Sequence, residues 1–181
     1  MGVADAPRGQ GRLPDDGYGR IDVMVTNAGA DRRGPVLDLS PDDWDFTLKT
    51  HLYGSVHCAT AAARAMERQG SGGSIIIISS PAFYHPAAGL APYCVAKGGT
   101  YALMKALAAE LAPVGIRVNV LTPPSTRTGP MMAWLDSLAD QGVGQEQIEG
   151  LRASVQEPED VAPSSIWRPP RRTRCPARHF P

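Results

Sequence analysis

Two hydrophobic periods alternate along this chain. "IDVMVT" (21–26) is a short apolar, β-branched run that stops at "NAGA", which predicts a buried strand followed by a turn. At "LSPDDWDF" the pattern becomes helical, with Ser40 placed to cap, Pro41 at the first helical position and acids in the first turn. Helical character then runs to about Gln69, with a break near Gly54. "GSGG" predicts a turn, and "SIIIISS" (74–80) predicts a strand buried on both faces, as in a parallel sheet. After the loop "PAFYHPAAGL" (81–90), "APYCVAKGGTYALMKALAAELA" (91–112) predicts one long helix of small residues. "GIRVNVL" (115–121) predicts a third strand, "TPPSTRTGP" a rigid loop, and residues 130–155 two short helical pieces.

Strand and helix thus alternate three times, which predicts a doubly wound α/β arrangement of parallel strands joined by right-handed crossovers. The flanks read differently. Residues 1–17 are rich in Gly, Pro and Asp without a hydrophobic period, a loop or disordered leader. Residues 163–181 contain "WRPPRRTRCPARHFP", whose prolines allow neither helix nor strand, so a disordered Arg/Pro-rich tail is expected there. Residues 18–162 form the predicted domain.

Composition narrows the function. Hydrophobic residues make up 43% of the 181 and charged residues 20%, as expected of a chain that folds. Formal net charge is zero, yet five arginines and no acid fall within 168–178, leaving 13 basic against 18 acidic residues elsewhere. A mildly acidic body argues against nucleic-acid binding. No apolar run approaches the ~20 residues that span a bilayer, and no apolar signal core opens the chain, so the expected partner is not a membrane and the expected compartment is the cytoplasm. The cysteines (Cys58, Cys94, Cys175) are odd in number and lack metal-ligand spacing, which predicts neither disulfides nor a metal site.

The chemistry concentrates on the long helix. Tyr93 and Lys97 stand four positions apart, on one helical face. A free phenol with a pKa near ~10 is too weak an acid to serve as a base at neutral pH. An ammonium about 5 Å away favours the phenolate by roughly 3 kcal/mol, or about two pKa units, at an effective dielectric near 20. Taken alone, the same pair also fits a solvated lysine beside a rim aromatic. Ser80, however, ends the tetra-isoleucine strand, and Asn27–Gly29 ends the strand before it. In such folds ligands sit beyond the carboxyl ends of the strands, so these residues are expected around one crevice.

"GRIDVMVTNAGA", "GGSIIIISS", "APYCVAKGG" and "GIRVNVLTP" resemble successive blocks of the short-chain dehydrogenase/reductase family, in order and at matching spacings, from about Tyr18 to Ala162. The resemblance implies a Rossmann-like fold and hydride transfer between NAD or NADP and an alcohol or carbonyl substrate. It implies Tyr93 as general acid/base, Ser80 as hydrogen-bond partner of the substrate oxygen, and Lys97 as the group that lowers the Tyr93 pKa and binds the nicotinamide ribose. Asn27, Ala28 and Gly29 would line the adenosine side, and Pro123 to Thr128 the nicotinamide end. The segments 54–68 and 91–112 resemble the helices through which the family pairs, so a homo-oligomer is expected.

The chain also departs from the pattern. His51 stands where the family usually has a tetrad asparagine, and "HLYG" there resembles relatives acting on acyl-CoA thioesters, which brings an acyl-CoA into the substrate classes. A proton-relay role for His51 and a plain packing role are both open. The glycine-rich TGxxxGxG turn and its βα units would need roughly 70–80 residues before Ile21. "GQGRLPDDG" (9–17) follows no strand and does not serve as a phosphate cradle. Losing three charge-assisted hydrogen bonds at roughly 1.5–3 kcal/mol each weakens cofactor binding by at least about 10³-fold. It also leaves the first strand with an apolar edge, an aggregation hazard. At the other end "QEPEDVA" resembles the start of the family's penultimate helix before the sequence turns Arg/Pro-rich. Arg outnumbers Lys 15 to 3 overall, so out-of-frame translation of G/C-rich DNA is one expectation for this tail. The competing reading of the whole is a catalytically inactive remnant that acts at most as a dimerising interaction protein.

Overall fold

The computed structural model describes residues 19–140 and 142–161. The expected leader (1–17) and tail (163–181) lie outside them. The chain divides into two compact units, Met1–Thr122 and Pro123–Pro181.

The first unit is built on three parallel strands in the order β1 (Val23–Thr26), β2 (Gly73–Ile78) and β3 (Ile116–Leu121). Val25 pairs with Ile76, and Ile75 with Val118, which fixes the register. Pleat alternation then sends Met24, Thr26, Ile75, Ile77 and Val118 to one face. There Ile75, Ile77 and Val118 meet Ala59, Ala62, Ala63 and Met66 of α2 (Gly54–Gln69), and Leu103, Met104 and Leu107 of α3 (Ala91–Leu111) pack on the same core. The alanines are small enough to bring α2 close to the sheet, which is why these helices carry so few large residues.

The opposite face corrects the expectation of strands buried on both sides. Val23 is 55% exposed, Val25 49% and Leu121 54%, while Ile76 and Ile78 are half-buried. The cause is that α2 and α3 both pack on the other face. The strands also begin and end elsewhere than expected, since Ile21 and Asp22 precede β1, and Ser79 and Ser80 have already left β2. The result is an incomplete Rossmann-like α/β fold.

The first helix, α1 (Pro41–Leu48), opens with the expected cap. The Ser40 hydroxyl accepts from the Asp43 N–H at 3.3 Å, and the Asp43 carboxylate accepts from the Ser40 N–H at 3.0 Å. The break anticipated near Gly54 is a wide π-type turn over Lys49–Tyr53, inserted between α1 and α2. It presses on α3 at Gly99, where a Cβ would come within 2.9 Å of Leu52 Cδ2. A glycine in mid-helix costs stability, and here it provides the close approach.

The second unit holds α4 (Gly129–Ser137) and α5 (Gln145–Ala153), the two short pieces expected over 130–155, and a single turn, α6 (Pro158–Val161), within the "QEPEDVA" segment. Leu135, Leu138 and Ile148 form its own small core. Arg127 and Glu157 pair at 2.6 Å beside a bridge between Thr126 and Gln156. Among the described residues no helix is long and apolar enough to cross a membrane.

Candidate active site

The carboxyl ends of β2 and β3 are joined by the Ser79 N–H, which donates to the Leu121 carbonyl at 2.8 Å. The Ser79 hydroxyl then reaches α3, donating to the Lys97 carbonyl at 3.0 Å. Thr100 donates to the same carbonyl at 2.8 Å and lies 3.3 Å from the Ser79 hydroxyl. Ser79, Lys97 and Thr100 are all buried. Together they pin the turn of α3 that carries Lys97 to the end of the central strand.

Lys97 is itself buried, and its ammonium donates to the Ile78 carbonyl at 2.9 Å. Burial pulls its pKa down to about 8, with the Asp31 carboxylate opposing. Ser80 caps the short turn Pro81–Phe83, its oxygen accepting from the Ala82 N–H at 3.2 Å. That leaves the Ser80 proton free to be given elsewhere, and hydrogen bonding with Ser80 favours the Tyr93 phenolate.

The direction of the Tyr93 shift is nevertheless opposite to the expectation. Burial raises its pKa above the ordinary value of 10.0, and the Ser80 hydrogen bond only partly offsets this. The Lys97 ammonium lies 5.5 Å from the centre of the Tyr93 ring and is aimed at Ile78, so it leaves the phenol a protonated acid at neutral pH.

His51 comes to the same place from the π-type turn. It is 6% exposed, its ring meets the Tyr93 ring edge-on with centres 5.1 Å apart, and neither ring nitrogen has a hydrogen-bond partner. Burial first, and then the Lys97 charge, hold its pKa down to about 4, so the imidazole is neutral. Gly29 lies directly against the His51 ring.

The structure thus brings together Ser80, Tyr93, Lys97, His51 and Gly29. Asn27 and Ala28 are exposed in the segment that leaves β1. Pro123 and Thr128 belong to the second unit, where Thr128 caps α4 by accepting from the Met131 N–H at 3.3 Å. Sequence reasoning missed the pair Asp31–Arg33, joined at 2.5 Å, whose charges act on both Tyr93 and His51. A signal for it is present in the sequence: "ADRRG" directly follows the strand end expected to line the crevice. Ser79 and Thr100 were missed as well, because a hydroxyl anchoring a backbone carbonyl leaves no mark in residue type alone.

The sequence profile of the short chain dehydrogenase family matches residues 14–138. The chain belongs to the short chain dehydrogenase family. Dehydrogenase/reductase SDR family member 4 of Homo sapiens is 37% identical over 147 residues, 80% of this chain and 51% of the relative. The (2S)-[(R)-hydroxy(phenyl)methyl]succinyl-CoA dehydrogenase subunit BbsD of Thauera aromatica is 37% identical over 152 residues, 84% of this chain and 59% of BbsD. Among solved structures, NAD+-bound xylitol dehydrogenase matches with a TM-score of 0.64 at 32% identity, covering 70% of this chain and 49% of that one. This short chain dehydrogenase therefore spans about half the length of the curated relatives it matches.

Part of the site has the donors that a nicotinamide cofactor needs. The Lys97 ammonium has three N–H donors and spends one on Ile78, which leaves two for the hydroxyls of a ribose. The exposed backbone of Asn27–Gly29 adds further polar groups at the β1 end. Among the described residues, however, no glycine-rich turn leads from a strand directly into a helix N-terminus, the arrangement that suits a pyrophosphate. The residues present fit a ribose better than a pyrophosphate.

Proposed function

We propose that this chain carries the proton-transfer half of an oxidoreductase centre, acting on an alcohol or carbonyl compound with NAD or NADP. The observation that supports this reading most is the approach of Tyr93, Ser80 and Lys97 at the end of β2, where the Lys97 ammonium lies 5.5 Å from the Tyr93 ring and the Ser80 side chain acts to favour the Tyr93 phenolate. A nicotinamide dinucleotide, when bound, supplies or accepts the hydride, and Lys97 with Asn27–Gly29 would hold it. In reduction, the substrate carbonyl oxygen accepts hydrogen bonds from Ser80 and Tyr93. The Tyr93 proton passes to that oxygen as the carbonyl becomes an alcohol. In oxidation the proton returns to Tyr93, which must first be ionised.

The raised pKa keeps Tyr93 protonated at neutral pH, the form that serves as the acid in reduction. Acyl-CoA thioesters belong in the substrate test because of His51 and because the relative BbsD bears a succinyl-CoA dehydrogenase name. We also read α2 and α3 as the surface through which two copies pair. The experiment is a titration with NADH and NADPH followed by cofactor fluorescence, then turnover of a panel of ketones and β-ketoacyl-CoA thioesters. The expected outcome is weak binding, with a dissociation constant on the order of 1 mM, and slow reduction abolished in Tyr93→Phe. Equal turnover by Tyr93→Phe would refute the reading.

A further inference from the structure

Two features of the site remain unused: a buried imidazole without partners, and a glycine that touches it. A Cβ on Gly29 would fall 2.1 Å from His51 Cε1 and 2.4 Å from Nδ1, far inside any contact distance. Gly29 is not among the residues with positive φ, so its backbone does not call for glycine. What it provides at this position is space. The imidazole that fills this space cannot swing aside, since it is 6% exposed and the edge-on Tyr93 ring lies 5.1 Å from it. The Ser55 hydroxyl, donating to the His51 carbonyl at 2.7 Å, anchors the same turn from below.

We propose that Gly29 and His51 form a size-matched pair in which the bare α-carbon of Gly29 admits the His51 ring, and the ring so seated sets the position of Tyr93. His51 is then a positioning residue. It shields the Tyr93 ring from water by its volume, and its orphan nitrogens take no part in the resting arrangement. The consequence for proton transfer rests on the function proposed above, whereas the pairing itself does not.

A double-mutant cycle tests the pair. Gly29→Ala should lower the thermal midpoint by about 4–8 °C in the native background, the usual effect of overpacking in a chain of this size. In a His51→Ala background the same change should cost nothing, because the ring it strikes is gone. If Gly29→Ala does not fold, the double variant decides: its folding supports the pair, and its failure overturns it. The second readout is the titration of Tyr93, followed by ¹³Cζ-tyrosine NMR and assigned with Tyr93→Phe. Lys97, whose ammonium lies 5.5 Å from the Tyr93 ring, and Asp31, Arg33 and Cys94, which also act on Tyr93, are the same in every variant. His51→Ala should bring the Tyr93 midpoint down by at least about half a unit as water reaches the phenol. His51→Asn, which keeps hydrogen-bonding capacity but loses the ring, should do the same. An equal penalty for Gly29→Ala in both backgrounds overturns the proposal, as does a Tyr93 midpoint unmoved by His51→Ala or kept at its native value by His51→Asn. Neither readout uses turnover, so loss of every hydride-transfer activity would count against the proposed function and leave this test intact.

Discussion

Lys97 keeps an ammonium where little water can reach it, and its pKa of about 8 against an ordinary 10.5 expresses that cost. The sign follows from proton counting. Between pH 8 and 10.5 the unfolded chain holds a proton that the folded chain has released, so stability rises with pH across that window. Below pH 8 the whole cost stands, on the order of 3 kcal/mol. Lys97→Met removes it and leaves the Ile78 carbonyl unpaired, a loss of about 1–3 kcal/mol. Urea denaturation should therefore find Lys97→Met at least as stable as the native chain at pH 7 and less stable at pH 10, with cofactor binding lost at both. Tyr93 obeys the opposite requirement. In the proposed role its proton is the one given to the substrate, so the rate of reduction should hold through the neutral range and fall as pH rises through a midpoint above 10.0. Tyr93→Phe should lower turnover by about 10²–10⁴-fold, read as the initial rate of cofactor oxidation at saturating substrate.

Elements carry these residues to one place by means that differ in how openly the sequence shows them. The α1 cap was legible in full, because Ser40, Pro41 and Asp43 each do there what their chemistry suggests. Ser40→Ala should cost about 1 kcal/mol at pH 7 in urea denaturation. Hydrogen bonding from Ser40 holds the Asp43 carboxyl below its ordinary value of 3.8, a stabilisation present above the unfolded pKa and lost as pH falls through the folded one. The Ser40→Ala penalty should accordingly shrink when measured near pH 3. The π-type turn was legible only as an interruption near Gly54, since its width depends on how Leu52 packs against Gly99 across the fold. That non-local contact is also what sets His51 beside Tyr93, so a single residue's type could not distinguish a packed histidine from a reactive one.

The molecule's first unit is a sheet clothed on one face. The run of four isoleucines announced a strand, but apolar composition could not say that Ile76 and Ile78 would be covered less than Ile75 and Ile77. That depends on which helices are present to pack there. Val23, Val25 and Leu121 leave a part-open apolar surface, and among the described residues β1 pairs on one side alone. Such an edge invites association. Val25→Lys should lower concentration-dependent light scattering with little change in thermal midpoint, because Val25 is already 49% exposed. The same open edge bears on the proposed function: among the described residues no glycine-rich turn leads from a strand into a helix N-terminus, so cofactor binding is expected to be weak. Whether the donor site is ordered can be asked without cofactor. The most direct measurement is the ¹³Cζ-tyrosine NMR titration of Tyr93 in the native chain and in Ser80→Ala. Burial and the Ser80 hydrogen bond together predict a native midpoint above 10.0 that rises further when the Ser80 hydroxyl is removed. A midpoint at the ordinary tyrosine value, indifferent to Ser80→Ala, would mean that these two side chains share no site.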